Sequence, residues 1–259
     1  MKTRIWVALF IVMGGLGTSC ARKEEPARTE KAAPAAAPAA APVVDPATAA
    51  TITGKVLFTG TRPVMRPISM DAVPACARQH ATPPRSEEVV INDNGTLRNV
   101  FVWVKSGLPG AQWPVPSEPV KLDQHTCMYK PRVIGVMINQ PIEIINSDPT
   151  NHNIHPLPKI NREWNESQPP GGEPKIKSFA REEIMIPVKC NVHPWMRAYI
   201  GVVSHPFFSV TGTDGTFTIK GLPPGEYTLE AWHERYGTQE LKVTVGPKET
   251  KTADFTYKG

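Results

Sequence analysis

The stretch Glu183-Ile184-Met185-Ile186-Pro187-Val188-Lys189-Cys190-Asn191-Val192-His193-Pro194-Trp195-Met196-Arg197 decides how the chain reads. Its first half alternates: Ile184, Ile186, Val188 and Cys190 fall on one face of a strand, so the sulfur points into a β core. Its second half is a tight loop that sets a thiol, an imidazole and a thioether at Cys-x-x-His-x-x-Met spacing. Pro187 predicts that the strand lies at an edge or carries a bulge.

Upstream, Pro141-Ile142-Glu143-Ile144-Ile145-Asn146-Ser147-Asp148 reads as a strand entering a polar loop, followed by Asn151-His152-Asn153-Ile154-His155. Two imidazoles, one thiolate and a weak axial thioether are the donor set of a copper electron-transfer site. The candidate ligands are Cys190, His193 and Met196, with the second imidazole from His152 or His155. Methionine is a poor zinc ligand, which disfavours zinc. A Cys190 nucleophile paired with His193 would need an oxyanion donor and an orienting third group, and the sequence offers no candidate for either.

The remainder of the chain from Thr51 is β in texture: short apolar runs separated by turn signals such as Asp93-Asn94-Gly95, Asn139-Gln140, Asp214-Gly215 and Pro223-Pro224-Gly225. Expected strands include Thr51–Phe58, Glu88–Ile91, Asn99–Lys105, Val133–Ile138, Thr216–Ile219, Tyr227–Trp232 and Leu241–Val245. No segment keeps a helical period, so the fold class is all-β, built of sandwiches.

Two resemblances sharpen this. Cys190-Asn191-Val192-His193-Pro194-Trp195-Met196 together with His152-Asn153-Ile154-His155 resembles the small cupredoxins, especially amicyanin and pseudoazurin, and Tyr129-Lys130-Pro131 sits where that family carries an early strand. The resemblance implies a Greek-key sandwich over residues 119–206 with one type 1 copper, and makes the expected ligands His152, Cys190, His193 and Met196, with His155 as the alternative to His152. It also implies that Asn153 ties the two ligand loops together, and that His193, Pro194, Trp195 and Met196 form an apolar rim around an exposed histidine edge. Asn191 departs from the small hydroxyl residue or glycine that usually follows the cysteine. The second resemblance is to carboxypeptidase-regulatory-like (transthyretin-like) sandwiches. It is carried by Thr51-Ile52-Thr53-Gly54-Lys55-Val56 with Gly60 and Pro63, and by Val210 to Ile219 with Gly221 to Leu229. It places the first part of that sandwich at 51–118 and the second at 207–259, with the copper-like segment between them.

At the N-terminus, Lys2 and Arg4 precede an apolar run, Ile5 to Leu16, too short to span a bilayer. Gly17-Thr18-Ser19-Cys20 resembles the bacterial lipobox, in which the cysteine is acylated. Residues 1–20 are thus expected to direct export to the periplasm or cell surface, with a membrane tether at Cys20. Residues 21–50 are expected to be an Ala/Pro-rich disordered linker. With Cys20 assigned to lipid and Cys190 to metal, Cys76 and Cys127 are left to pair in an oxidising compartment. A Cys127–Cys190 bridge is the competing arrangement. Among the other histidines, His205 and His233 are expected to make structural hydrogen bonds, with a second metal site as the alternative; His80 and His125 read as loop or surface residues.

The formal net charge is +5, from 29 basic residues, two of them in the leader, against 24 acidic ones. That balance, with no basic run interleaved with aromatics, excludes a nucleic-acid partner. The expected partners are periplasmic redox proteins, a cytochrome or a dehydrogenase, docking at the rim. Copper storage or delivery and a metal-independent adhesion module are the competing functions; exposed Met/His-rich stretches of the delivery kind are absent from the sequence.

Overall fold

The computed structural model describes residues 44–110 and 112–259. The expected leader with Cys20, and the linker as far as residue 43, lie outside the described residues. Residues 44–50, expected to belong to the linker, instead make a turn on Asp45 and open the first strand: Ala47 N–H donates to Asp45 Oδ1 (2.8 Å) and Ala49 N–H to Asp45 O (3.0 Å).

In chain order the elements are β1 (Ala50–Thr59), the helical turn α1 (Pro74–Ala77), β2 (Phe101–Ser106), β3 (Val120–His125), β4 (Met128–Lys130), β5 (Val133–Met137), β6 (Ile142–Asn146), β7 (His152–Pro156), β8 (Glu166–Gln168), β9 (Lys175–Lys177), β10 (Glu183–Lys189), β11 (Arg197–Val203), β12 (Phe208–Val210), β13 (Thr216–Leu222), β14 (Gly225–His233), β15 (Gly237–Val245), β16 (Thr250–Thr252) and β17 (Phe255–Lys258). They form four sheets: β13-β1-β16 with β17 also on β1, β12-β2-β14-β15, β5-β11-β10-β7-β8, and β4-β3-β6-β9. The fold is all-β in two sandwiches.

Alternation along the strands fills three cores. Ile52 and Val56 of β1, Phe217 and Ile219 of β13 and Phe255 of β17 meet Val102 and Val104 of β2 and Leu229 and Ala231 of β14; this is the core of the flanking sandwich. Leu122, Ile142 and Ile144 meet Ile134, Val136, Ile186, Val188, Ala198, Ile200 and Val202 in the second core, which also holds Cys190 and Met196. Between the sandwiches, Phe101 and Trp103, the other face of β2, meet Val133, Met185 and Val203.

That third contact needs two glycines. Gly135 of β5 and Gly201 of β11 are register partners. A Cβ on Gly201 would lie 2.8 Å from Phe101 Cζ, and one on Gly135 would enter the Phe208 ring. Bare backbone at both positions lets the Phe101–Phe208 stack, with centroids 5.7 Å apart, settle on the neighbouring sheet.

Three local expectations change. Glu88–Ile91 is not a strand; it makes only the bridge Ile91↔Leu97, because the turn at Asp93–Gly95 folds it back on itself. The strand of Pro187 carries a bulge, as expected, but at Met185 (φ 59°) rather than at the proline, which pairs with Tyr199 inside the sheet and not at an edge. That bulge moves Ile184 to the junction between sandwiches, while Ile186, Val188 and Cys190 keep the inward face. Finally, not all of residues 60–87 stay with the flanking sandwich: Met65 packs on its core, but Met70 and Cys76 are buried in the core that holds Cys190.

Candidate metal centre

Two strand ends build the centre. Strand β10 delivers Cys190, and the loop to β11 closes on itself: Met196 N–H donates to His193 O (3.0 Å), Cys190 N–H to Met196 O (3.3 Å), and His193 N–H to Cys190 Sγ (3.4 Å). His152 comes from the start of β7, a strand rather than the expected loop. Strand β7 pairs with β10 through Lys189↔His155, which sets the two ligand-bearing segments side by side.

The donor atoms of His152, Cys190 and His193 lie within 4.8 Å of one another. His193 Nδ1 is 2.8 Å from His152 Nδ1 and 3.8 Å from Cys190 Sγ. Met196 is fully buried in the same core. His155 does not join: its ring faces Asn191 Oδ1 (3.2 Å) and Glu163 Oε1 (2.5 Å). Asn153 Oδ1 accepts from Asn191 N–H (2.6 Å) and lies 3.3 Å from Cys190 Sγ, so it bridges the two segments.

Asp148 is the residue that sequence reasoning passed over. Its carboxylate, at 0% side-chain exposure, accepts from His152 Nε2–H (2.8 Å), Thr126 N–H (2.6 Å) and Cys127 N–H (2.7 Å). The Asp-x-x-x-His spacing was the available signal. Burial pushes this carboxyl up, but the three donors outweigh it and hold it below the usual carboxylate range. Burial likewise works against charge on His152, yet Asp148 and Cys190 raise it. Burial opposes the Cys190 thiolate, and hydrogen bonds from His152 and nearby backbone N–H groups overcome that, so the thiol is lowered. His193 is pushed down to about 4 by burial and by the charge on His152.

This donor set fits a thiophilic metal. With Nε2–H committed to Asp148, His152 Nδ1 faces Cys190 and His193, and loss of its proton would free the lone pair for a metal. The 2.8 Å between the two Nδ1 atoms is a distance at which they share one proton. The 3.8 Å between nitrogen and sulfur is the spacing of two ligands on one ion with bonds of roughly 2.0–2.3 Å.

The expected exposed histidine edge is absent. His193 is 1% exposed, because Cys76 Sγ stands 3.7 Å from its Nε2; of the expected rim, Pro194 is exposed and Trp195 half-buried. Cys76 is bonded to Cys127, with Cα atoms 5.6 Å apart, which leaves Cys190 free. His205 Nε2 lies 2.9 Å from Val104 O, and His233 Nδ1 accepts from Arg235 N–H (3.2 Å); each sits in its own hydrogen-bonded setting. Among the described residues no metal-spaced cluster includes either.

Residues 198–258 match the carboxypeptidase regulatory-like domain family. The match begins within β11, nine residues before the expected boundary at 207. No curated protein sequence matches the chain. Among solved structures the chain is similar to an oxidized amicyanin variant (17% identity, 39% of this chain and 97% of that one, TM-score 0.30). It is also similar to a purple cupredoxin from Nitrosopumilus maritimus (17%, 32% and 98%, TM-score 0.28). A third is the copper-containing nitrite reductase of Thermus scotoductus SA-01 (20%, 37% and 24%, TM-score 0.29), of which the chain spans about a quarter.

Proposed function

We propose that this protein is a copper-binding electron carrier of the cell envelope, exported, lipid-tethered at Cys20, and not itself an enzyme. The observation that carries the reading is the convergence of His152 Nδ1, His193 Nδ1 and Cys190 Sγ at buried strand ends. Copper held there by these three, with Met196 as a weaker fourth donor, would accept and return one electron. The chain's part is to keep the donors in place. Asp148 fixes the tautomer and tilt of His152, Asn153 locks the segment after Cys190 to β7, and the hydrogen-bonded loop 190–196 holds His193 and Met196 on one side. Donors fixed in a packed core move little when the charge changes, which keeps reorganisation small. Pro194 and Trp195 offer a small apolar patch for brief docking of a periplasmic cytochrome or dehydrogenase.

Copper delivery is the poorer reading, since all four proposed ligands are buried at 0–2% exposure and none faces an acceptor. The visible spectrum of the oxidised copper-loaded protein tests the proposal. An intense thiolate-to-copper band is expected, lost in Cys190→Ser; bound copper without such a band, or no copper binding at all, would refute it.

A further inference from the structure

The candidate centre is shut on its outer side by a segment from far upstream. Residues 66–68 and 84–86 run against each other as a neck: Pro67 bridges Arg85, Ile68 N–H donates to Pro84 O (2.7 Å) and Ser86 N–H to Arg66 O (3.0 Å). The tip, 69–83, carries α1 and lies over His193. Met70 and Cys76 are 3% and 0% exposed there, in the core that contains Cys190 and Met196. Cys76 Sγ faces the ring edge of His193 that points away from the other donors.

The tip is fastened to a loop that is itself part of the centre. The Cys76–Cys127 bond crosses to residue 127. Cys127 N–H is held by Asp148, and Cys127 O accepts from Trp195 Nε1–H (3.0 Å). A second tie runs between His80 Nε2 and Thr126 O (2.9 Å). Both sulfurs are 0% exposed, so an external thiol has no approach in the closed state; the bond acts as a fastener rather than a reagent.

We propose that 69–83 is a disulfide-fastened cover that controls passage of metal to and from the centre. The proposal rests on the copper reading only for the identity of the ion. An incoming ion or chelator must reach a ligand that has no exposed edge, so exchange waits for the cover to lift, and the fastener makes lifting rare.

The test uses the full chain and Cys76→Ala/Cys127→Ala, with circular dichroism as the check on folding. Copper uptake from Cu(II) and copper loss to excess EDTA are followed by thiolate absorption. Labelling of Cys190 by a small aromatic disulfide reagent is followed separately without copper. All three rates are expected to rise about tenfold or more in the variant. Copper rates within about twofold of the parent would overturn the cover while leaving the carrier reading intact. If neither protein binds copper the carrier reading fails, and the labelling rate alone decides the cover: faster labelling supports it, equal labelling overturns it. Should the variant not fold, hydrogen exchange of the parent at amides 76–79, the end of α1 and the turn after it, decides. Cys190 labelling no faster than that exchange supports the cover, and faster labelling overturns it.

Discussion

Asparagine at position 148 is the most searching single change to the centre. The carboxylate takes three hydrogen bonds in a fully buried setting: Thr126 N–H on Oδ1, and Cys127 N–H and His152 Nε2–H on Oδ2. An amide offers one acceptor oxygen and two donors. With its oxygen kept toward Cys127 and His152, its NH₂ confronts Thr126 N–H; reversed, it strands two donors. One buried donor without a partner costs about 1–3 kcal/mol, and loss of the charge weakens the surviving bonds by about 1 kcal/mol more. Asp148→Asn is therefore expected to lower stability by about 2–4 kcal/mol in urea unfolding. It also loosens the ring of His152, and loss of such a partner lowers metal affinity about 10–100-fold, readable by chelator competition with Cu(II). A variant within about 0.5 kcal/mol of the parent, with affinity within about twofold, would refute this account of Asp148.

Other outcomes follow from the same structure. Opening the 51-residue Cys76–Cys127 loop is expected to lower unfolding free energy by about 4 kcal/mol, measured with Cys76→Ala/Cys127→Ala in guanidinium. His233, 1% exposed, is pushed down to about 4 by burial, with Arg132 and Arg235 adding to it. The unfolded chain therefore takes up a proton that the folded one refuses, so stability is full above about pH 6.5 and falls as pH drops toward 4. About 2 kcal/mol should go between pH 7 and 5, and His233→Phe should flatten the urea-midpoint profile by that share; an unchanged slope would count against it. Gly201→Ala is expected to cost about 1–3 kcal/mol by driving a methyl into Phe101 and Met185, visible as a lowered thermal midpoint.

Much of the centre was legible because its signals are local. Cys190, His193 and Met196 share one loop, His152 follows a strand that ends at Asn146, and the alternation of Ile186, Val188 and Cys190 survives in the fold. Ile184 misled because the bulge sits at Met185, a residue with nothing in its chemistry to announce φ 59°. The short strands β8, β9, β12 and β16, three residues each, are too brief to show any period. The burial of His193 was out of reach for a different reason. It depends on where residues 69–83 go after leaving β1, and no local pattern in a Pro-rich loop states which sheet it will cover. The pairing of Cys76 with Cys127 was open to elimination, but the placing of Cys76 against His193 was not.

The paired glycines 135 and 201 carry a consequence for how the molecule is handled from outside. Two phenylalanine rings of one sandwich are seated on naked peptide of the other, and rings so seated leave no play for a hinge. Whatever grips the flanking sandwich therefore aims the candidate metal centre as well, as a handle aims a blade, and cutting the handle away would leave bare peptide, Val133, Met185 and Val203 open to water.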